Sequence, residues 1–317
     1  MLFRFTKEAL ASFVFVYMVY NRIMLSVIIP SRNEKFLNKT VEDILSKARG
    51  EIEVITILDG YWDIPIADPR VRAIHKGQSE GMRAGINSGV AIARGEYILK
   101  CDGHVMFDEG FDVKLIEVSK DMPNAVIIPR RKRLDAVNWC IKDVGKIDVD
   151  YEFLSYPDDP KDWGGKGLNG KIWEERALER ADIMIDDTPA SQGSCWMMHK
   201  KYFHEIGLMD DKKWGTFWCE SQEIALKAVL SGGRYVTYKG TWYAHLHKGK
   251  EHGRGYTLDH NLLIQGRNQT IKYFEGHRVT RNQKYPLSYM IEKFMPMPTW
   301  DDEKLTQLKE REAKNWK

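Results

Sequence analysis

From residue 25 onward, apolar and polar positions follow two alternating patterns. Residues 25–29 form an unbroken apolar run closed by Pro30, which predicts a parallel strand buried on both faces. Val41, Ile44, Leu45 and Ala48 then recur at the spacing of one helix face. Residues 53–58 predict a second buried strand, ended by Asp59-Gly60. Met82, Ile86, Val90 and Ala93 mark a second helical stripe with Gly95 as its stop. Residues 97–100 predict a short strand leading into Cys101-Asp102-Gly103-His104. Such alternation implies an α/β sheet, in which ligands gather at the carboxyl ends of the strands. Ser31, Arg32, Asn33, Asp59, Asp102 and His104 all fall at such ends.

Composition narrows the class. The chain has 317 residues, 43% hydrophobic and 11% aromatic, enough for a sizeable core and too much for a disordered chain. The glycines are scattered and no heptad persists, which excludes collagen-like and coiled-coil architectures. Lysine and arginine total 48 against 45 acids, a net charge of +3, without the strong basic excess of a dedicated nucleic-acid binder. Cys101, Cys140, Cys195 and Cys219 lack CxxC spacing, so reduced, buried thiols in a cytoplasmic protein are expected. Residues 9–20 are apolar apart from one serine. As a helix they would span about 18 Å, against about 30 Å for a bilayer core. They read as a packed helix, a peripheral membrane anchor or an extension upstream of a start at Met24, and no stable membrane span is expected. Residues 299–317 are charged, with Leu305 and Leu308 the main apolar side chains, and read as a solvated helix or tail.

Asp102 and His104 offer the first candidate chemistry. An aspartate at a strand end is often a cap, and a lone histidine is often structural. In an extended segment, however, residues two apart point to the same side, so both can face one ion. An oxygen with an imidazole suits Mn2+ better than a pure oxygen cage would. An ion there can bridge the phosphates of a nucleotide-sugar and stabilise a departing diphosphate.

Four segments, LSVIIPSRNE at 25–34, ITILDG at 55–60, EGMRAGINSGVAIARGEYILKCDGH at 80–104 and WCESQEIALKAVLSGG at 218–233, resemble the GT-A-fold glycosyltransferases of family 2. The resemblance extends over residues 25 to about 250. Three details are closer to the polypeptide N-acetylgalactosaminyltransferases of family 27. These are the D-x-H of Asp102-Gly103-His104, the Glu220-Ser221-Gln222-Glu223-Ile224 segment ahead of Gly232-Gly233, and TPASQGSCWMMHKKYFHEIGLMD at 188–210. The resemblance implies a GT-A fold: a Rossmann-like mixed α/β sheet flanked by helices, with a C-terminal appendage. It divides the chain into an apolar extension (1–23), a GT-A domain (24–250, with a nucleotide-binding half 24–130 and an acceptor and catalytic half 131–250) and a lid with appendage (251–317).

The resemblance further implies that Pro30, Ser31, Arg32 and Asn33 line the nucleoside. Asp59 would accept a hydrogen bond from uracil, making the donor a UDP-sugar. Asp102, His104 and His245 would hold Mn2+ (or Mg2+), with His247 as an alternative to His245. Gln192 and Gly193 would approach the donor sugar, and Glu220 and Glu223 would hold sugar hydroxyls or acceptor. Two departures matter. Family 2 commonly carries an arginine-asparagine pair where this chain has Ile86-Asn87, so Arg83, one turn earlier, is assigned the missing donor-site charge. The aspartate base that inverting members place after the matching glutamate is here Ser221, which cannot act as a base near neutral pH without an activator. A retaining transfer to an acceptor hydroxyl is therefore favoured, with Glu223 or Asp211 the bases open to an inverting one. The acceptor stays open among macromolecules and glycans, modified DNA included. The glycine-hinged segment 245–256 reads as a solvated loop or as a lid whose Lys248, Lys250 or Arg254 closes over the diphosphate. The basic and aromatic residues 266–289 bind an acceptor or wrap the core. The rival functions are a sugar nucleotidyltransferase, which would need a glycine-rich loop after the first strand, and a non-catalytic nucleotide-sugar-binding protein.

Overall fold

The computed structural model describes residues 23–157, 166–257 and 260–317; the apolar run 9–20 lies outside them. The expected strands are present as β1 (Met24–Ser31), β2 (Glu51–Asp59) and, after β3 (Val71–Lys76), β4 (Tyr97–Cys101). β1 pairs in parallel with β2 and β4, and β2 in parallel with β3. The pattern missed β3 because it is an edge strand: Arg72, His75 and Lys76 interrupt its apolar residues and all of its positions are half-buried. The expected helices span Leu37–Lys47 and Met82–Ile92. Gly95 is not the direct stop of the second, which ends three residues earlier. A β-carbon on Gly95 would lie 2.6 Å from the Met24 carbonyl oxygen, so glycine is needed there for close approach to β1.

The chain continues through β5 (Val105–Phe107), β6 (Ala125–Asp135) and β7 (Cys140–Lys142). A separate antiparallel ribbon comprises β8 (Glu152–Leu154) and β9 (Gly170–Ile172). β10 (Ile185–Asp187), β11 (Cys195–His199) and β12 (Arg234–His245) complete a mixed sheet of order β10-β12-β6-β11-β4-β1-β2-β3. β11 runs antiparallel to β4, whereas β12 runs parallel to β6 and antiparallel to β5. The last pairing sets His245 opposite Val105, which brings the end of β12 beside the Asp102–His104 turn.

Each face of the sheet carries its own core. Leu37, Val41, Ile44, Phe111 and Leu115 cover one face. Ile86 and Val90, the helix Glu220–Leu230 and the C-terminal helices cover the other. The solvated tail expected at 299–317 is instead a docked helix, Asp302–Asn315. Its Leu308 is fully buried, and Glu312 accepts from the Ser288 amide (2.8 Å) and hydroxyl. The charged surface of this helix hid a narrow apolar stripe. The indole of Trp300 donates to the Leu154 carbonyl at 2.8 Å, so the C-terminal segment braces β8. Tyr273 and Phe274 are buried too, and the basic and aromatic region wraps the core. Cys101, Cys195 and Cys219 are buried thiols, but Cys140 is exposed because its strand is a short flap on the sheet edge. Among the described residues no helix is long and apolar enough to cross a membrane.

Candidate active site

A cleft of about 760 Å³ opens at the carboxyl ends of β1 and β4. Its walls are the β1 loop, the Asp102–His104 turn, the segment 191–194, the start of the helix Glu220–Leu230 and the segment after β12.

Asp102, His104 and His245 converge at one end, with one ligand atom of each within 4.8 Å of the others. His245 Nε2 lies 3.3 Å from Asp102 Oδ2, and His104 Nε2 lies 3.8 Å from the same oxygen. The chemistry of the three suits a divalent cation. Burial raises the Asp102 carboxyl, but the adjacent Lys100 ammonium and both histidines hold it well below the usual carboxylate range. Lys100 Nζ sits 2.6 Å from Asp102 Oδ1, leaving Oδ2 toward the imidazoles. Burial holds His245 down to about 4, so its ring is neutral at pH 7 and can offer a lone pair. His104 Nδ1 meets Glu34 Oε2 at 3.0 Å. A carboxylate partner of this kind fixes the tautomer and turns the other ring nitrogen toward a metal. With two imidazoles and one carboxylate, a first-row ion such as Mn2+ fits better than Mg2+, which prefers oxygen.

The β1 loop and the segment after β12 meet above this triad. Lys248 Nζ also pairs with Glu34, Asn33 Nδ2 donates to the Gly255 carbonyl at 3.2 Å, and the Arg32 guanidinium stacks over Tyr256 at 4.6 Å. Arg254 lies over Phe217 at 5.4 Å, and both line the cleft. The side chain of Lys250 is outside the described residues. His247 is exposed on the cleft rim and is not in the triad.

The wall of the cleft beside Lys100 is polar as well. Arg131 donates to the Gln192 carboxamide oxygen and, at 3.0 Å, to Glu152 Oε1. Gly193 turns its carbonyl to Lys100 Nζ at 2.6 Å. Trp218 and Cys219 have φ of 75° and 59°, a left-handed pair whose strain is held by the surroundings. The Trp218 carbonyl accepts from the Arg83 guanidinium at 2.7 Å. This corner starts the helix that carries Glu220 into the cleft. Among the described residues, the buried Oε1 of Glu220 finds no hydrogen-bond partner.

Of the residues singled out in the sequence, Pro30, Ser31, Arg32, Asp102, His104, Gln192, Gly193, Glu220 and His245 line the cleft. Four others do not. Arg83 and Glu223 are fully buried behind it as an ion pair of 2.6 Å, so neither side chain lines the cleft. Glu223 also takes Lys227 Nζ and the Asp210 amide, so both of its oxygens are engaged by the protein. Both sit on the inner faces of their helices, which sequence position alone did not reveal. Asp59 is buried at the end of β2 and accepts from the Ser79 hydroxyl (2.7 Å) and the Glu80 and Gly81 amides. It thereby caps the turn into the next helix. Asn33 is exposed and tethers residue 255. The sequence reading missed Glu34, Lys100, Arg131 and Glu152, all of which line or support the cleft. Lys100 carried a signal, since it is the only charged side chain in an otherwise apolar strand and shares a strand face with Asp102.

Comparison with known proteins agrees with this geometry. Residues 26–207, over half of the chain, match the model of glycosyl transferase family 2. The chain is 24% identical over 241 residues to polypeptide N-acetylgalactosaminyltransferase 12 of Mus musculus, covering 70% of this chain and 39% of that one. It is 30% identical over 114 residues to glycosyltransferase GlyG of Streptococcus pneumoniae, covering 33% and 38%. The solved structure of GalNAc-T7 with UDP, GalNAc and Mn2+ superposes with a TM-score of 0.63 at 16% identity, covering 92% of this chain and 55% of that one. The chain thus spans about two fifths of the length of these curated relatives. The chain belongs to glycosyl transferase family 2 and has the GT-A fold.

Proposed function

We propose that this family 2 chain transfers a sugar from a UDP-sugar to an acceptor hydroxyl, with Mn2+ held by Asp102, His104 and His245. The observation that carries the reading is the convergence of these three side chains within 4.8 Å at one end of a 760 Å³ cleft. UDP and Mn2+ both appear with GalNAc-T7, which supports the choice of nucleotide and ion. Bound here, the cation would neutralise the diphosphate and make it a better leaving group.

The chain's own residues set the remaining roles. Lys100 keeps Asp102 ionised, and Glu34 orients His104. Pro30, Ser31 and Arg32 line the nucleoside end, with Asp59 shaping the turn beside it. Lys248 and Arg254 line the cleft on the segment that meets the β1 loop above the triad, where they can meet phosphate oxygens. Gln192, Gly193 and Glu220 face the sugar. Ser221 follows Glu220 where an inverting member would carry its base, and a serine hydroxyl is too weak a base near pH 7. A retaining transfer follows, in which assistance to the departing diphosphate supplies most of the catalysis.

The test is UDP release from a panel of UDP-sugars with Mn2+, and NMR of the product anomer. Wild type is expected to release UDP, to stop in EDTA and to retain anomeric configuration. His104→Ala is expected to abolish release while keeping the thermal transition. Full activity of His104→Ala in EDTA would overturn the metal assignment, and Mn2+-dependent UDP binding without turnover would make the chain a binding protein.

A further inference from the structure

The polar wall of the cleft beside Lys100 is built around two residues that no sequence motif marks. Arg131 lies on β6 opposite Tyr243 of β12, and its guanidinium bridges Gln192 and Glu152. Glu152 is carried by β8, which the Trp300 indole braces from behind. Its side chain is 9% exposed, and burial raises its carboxyl against the opposing pull of Arg131. A β-carbon on Gly170 would meet Glu152 Oε2 at 2.8 Å and Gln222 Nε2 at 3.7 Å. Glycine therefore leaves room at the point where these two side chains approach. Gly193 does the same beside Glu220, whose Oε2 would lie 3.8 Å from its β-carbon.

The balance of donors and acceptors identifies the ligand chemistry. Two carboxylates face this wall, and both nearby cations are already committed, the Arg131 guanidinium to Gln192 and Glu152 and the Lys100 ammonium to Asp102 and the Gly193 carbonyl. Among the described residues Glu220 Oε1 is buried without a partner, and a buried unpaired carboxylate oxygen is costly unless a ligand or solvent supplies a donor. Hydroxyl groups supply donors. A ligand carboxylate supplies none and would meet two like charges.

On the reading given under Proposed function, we infer that Arg131, Glu152 and Gln192 form a specificity element for the donor sugar. Glu152 receives hydroxyls of a neutral hexose ring together with Glu220, and Arg131 is the positioning residue that aims Glu152 and Gln192. The element selects uncharged sugars and rejects hexuronic acids.

Wild type, Glu152→Gln and Arg131→Lys are compared by calorimetric titration with UDP and Mn2+, and by UDP release without acceptor. The donors are UDP-glucose, UDP-galactose, their N-acetyl derivatives and UDP-glucuronic acid. Arg131→Lys keeps the charge but cannot reach both partners, so it tests the element if Glu152→Gln fails to fold. In both variants UDP affinity stays within twofold. The kcat/KM for the preferred neutral donor falls about 10- to 100-fold, as expected for loss of a charge-assisted hydrogen bond. In Glu152→Gln, discrimination against UDP-glucuronic acid narrows at least tenfold by the same reasoning. A neutral-donor kcat/KM within threefold of wild type overturns the inference. So does a loss of UDP affinity in step with activity, a loss seen only when acceptor is added, or a wild-type preference for the uronate. Wild type that binds no UDP with Mn2+ overturns the underlying reading, and this inference with it.

Discussion

Arg83 and Glu223 provide a direct test of whether a buried charge beside the cleft serves chemistry or architecture. Both side chains are 0% exposed, and Lys227 beside them is 3% exposed. Glu223→Gln is nearly isosteric but leaves two buried cations without their carboxylate. Removing one partner of a buried pair typically costs about 3–5 kcal/mol. Arg83→Met leaves Glu223 with Lys227, which softens the loss. It also strips donors from the Gly215 and Trp218 carbonyls, at about 1 kcal/mol each. Either variant should therefore lose about 3–5 kcal/mol, or roughly 5–8 °C in melting temperature at about 2.1 cal/mol/K of unfolding entropy per residue. The double variant should lose less than the sum, with a coupling of about 1–3 kcal/mol. Denaturant unfolding and thermal melting of the four proteins close the cycle, and Arg83→Lys serves as a milder variant if the others do not fold. Glu223→Gln that melts within 2 °C of wild type but loses turnover would refute the reasoning and restore Glu223 as a substrate-facing acid.

Glu34→Gln removes the charge that orients His104 and pairs with Lys248, so Mn2+ affinity should fall about 10- to 100-fold; unchanged affinity in calorimetry would contradict the positioning role. Glu53 tests the pH dependence of stability. Burial raises its carboxyl, but the Arg94 amide, the Ser26 hydroxyl and the Arg72 guanidinium together hold it below its ordinary 4.5. A depressed folded value means that the stabilisation is full above pH 4.5 and is lost as pH falls through the folded value. Glu53→Gln should thus cost about 1–2 kcal/mol at pH 7 and progressively less as pH falls below 4.5, and a loss in urea unfolding that does not shrink with falling pH would contradict the assignment.

The residues legible in the sequence share a physical reason. Buried parallel strands read as continuous apolar runs, so the ends of β1, β2 and β4 announce themselves, and with them Ser31, Asp59 and Asp102. His245 has no such local signal; it meets Asp102 only because β12 pairs with β5, and the family resemblance is what pointed to it. Arg131 was hidden inside the basic run at 130–133, which resembles a solvated stretch. Glu152 stands on a strand of three residues, too short to show any period. Arg83 and Glu223 have residue types suited to a site, but their direction depends on which helix face meets the core.

A carboxylate's role in this fold follows from what its oxygens touch more than from its place in a motif. Both oxygens of Glu223 are taken by Arg83, Lys227 and the Asp210 amide, and those bonds hold the chain on either side of the Trp218–Cys219 corner. That corner is left-handed at two successive residues, a conformation that costs on the order of 1–3 kcal/mol per residue and persists only where its neighbours enforce it. Its consequence is to set Glu220 at the first turn of the next helix, facing the cleft with one oxygen unpaired among the described residues. The satisfied acid and the unsatisfied one are thus two ends of one device: the buried pair stabilises a strained turn, and the turn presents a carboxylate with one oxygen open to a ligand donor. A motif match such as E-x-x-E cannot separate these roles. On the proposed function, weakening the hidden pair should therefore disturb Glu220 and sugar binding before it disturbs Asp102 and nucleotide binding, because the Asp102–His104–His245 triad is fixed from β4, β5 and β12 and shares no hydrogen bond with Arg83 or Glu223 among the described residues.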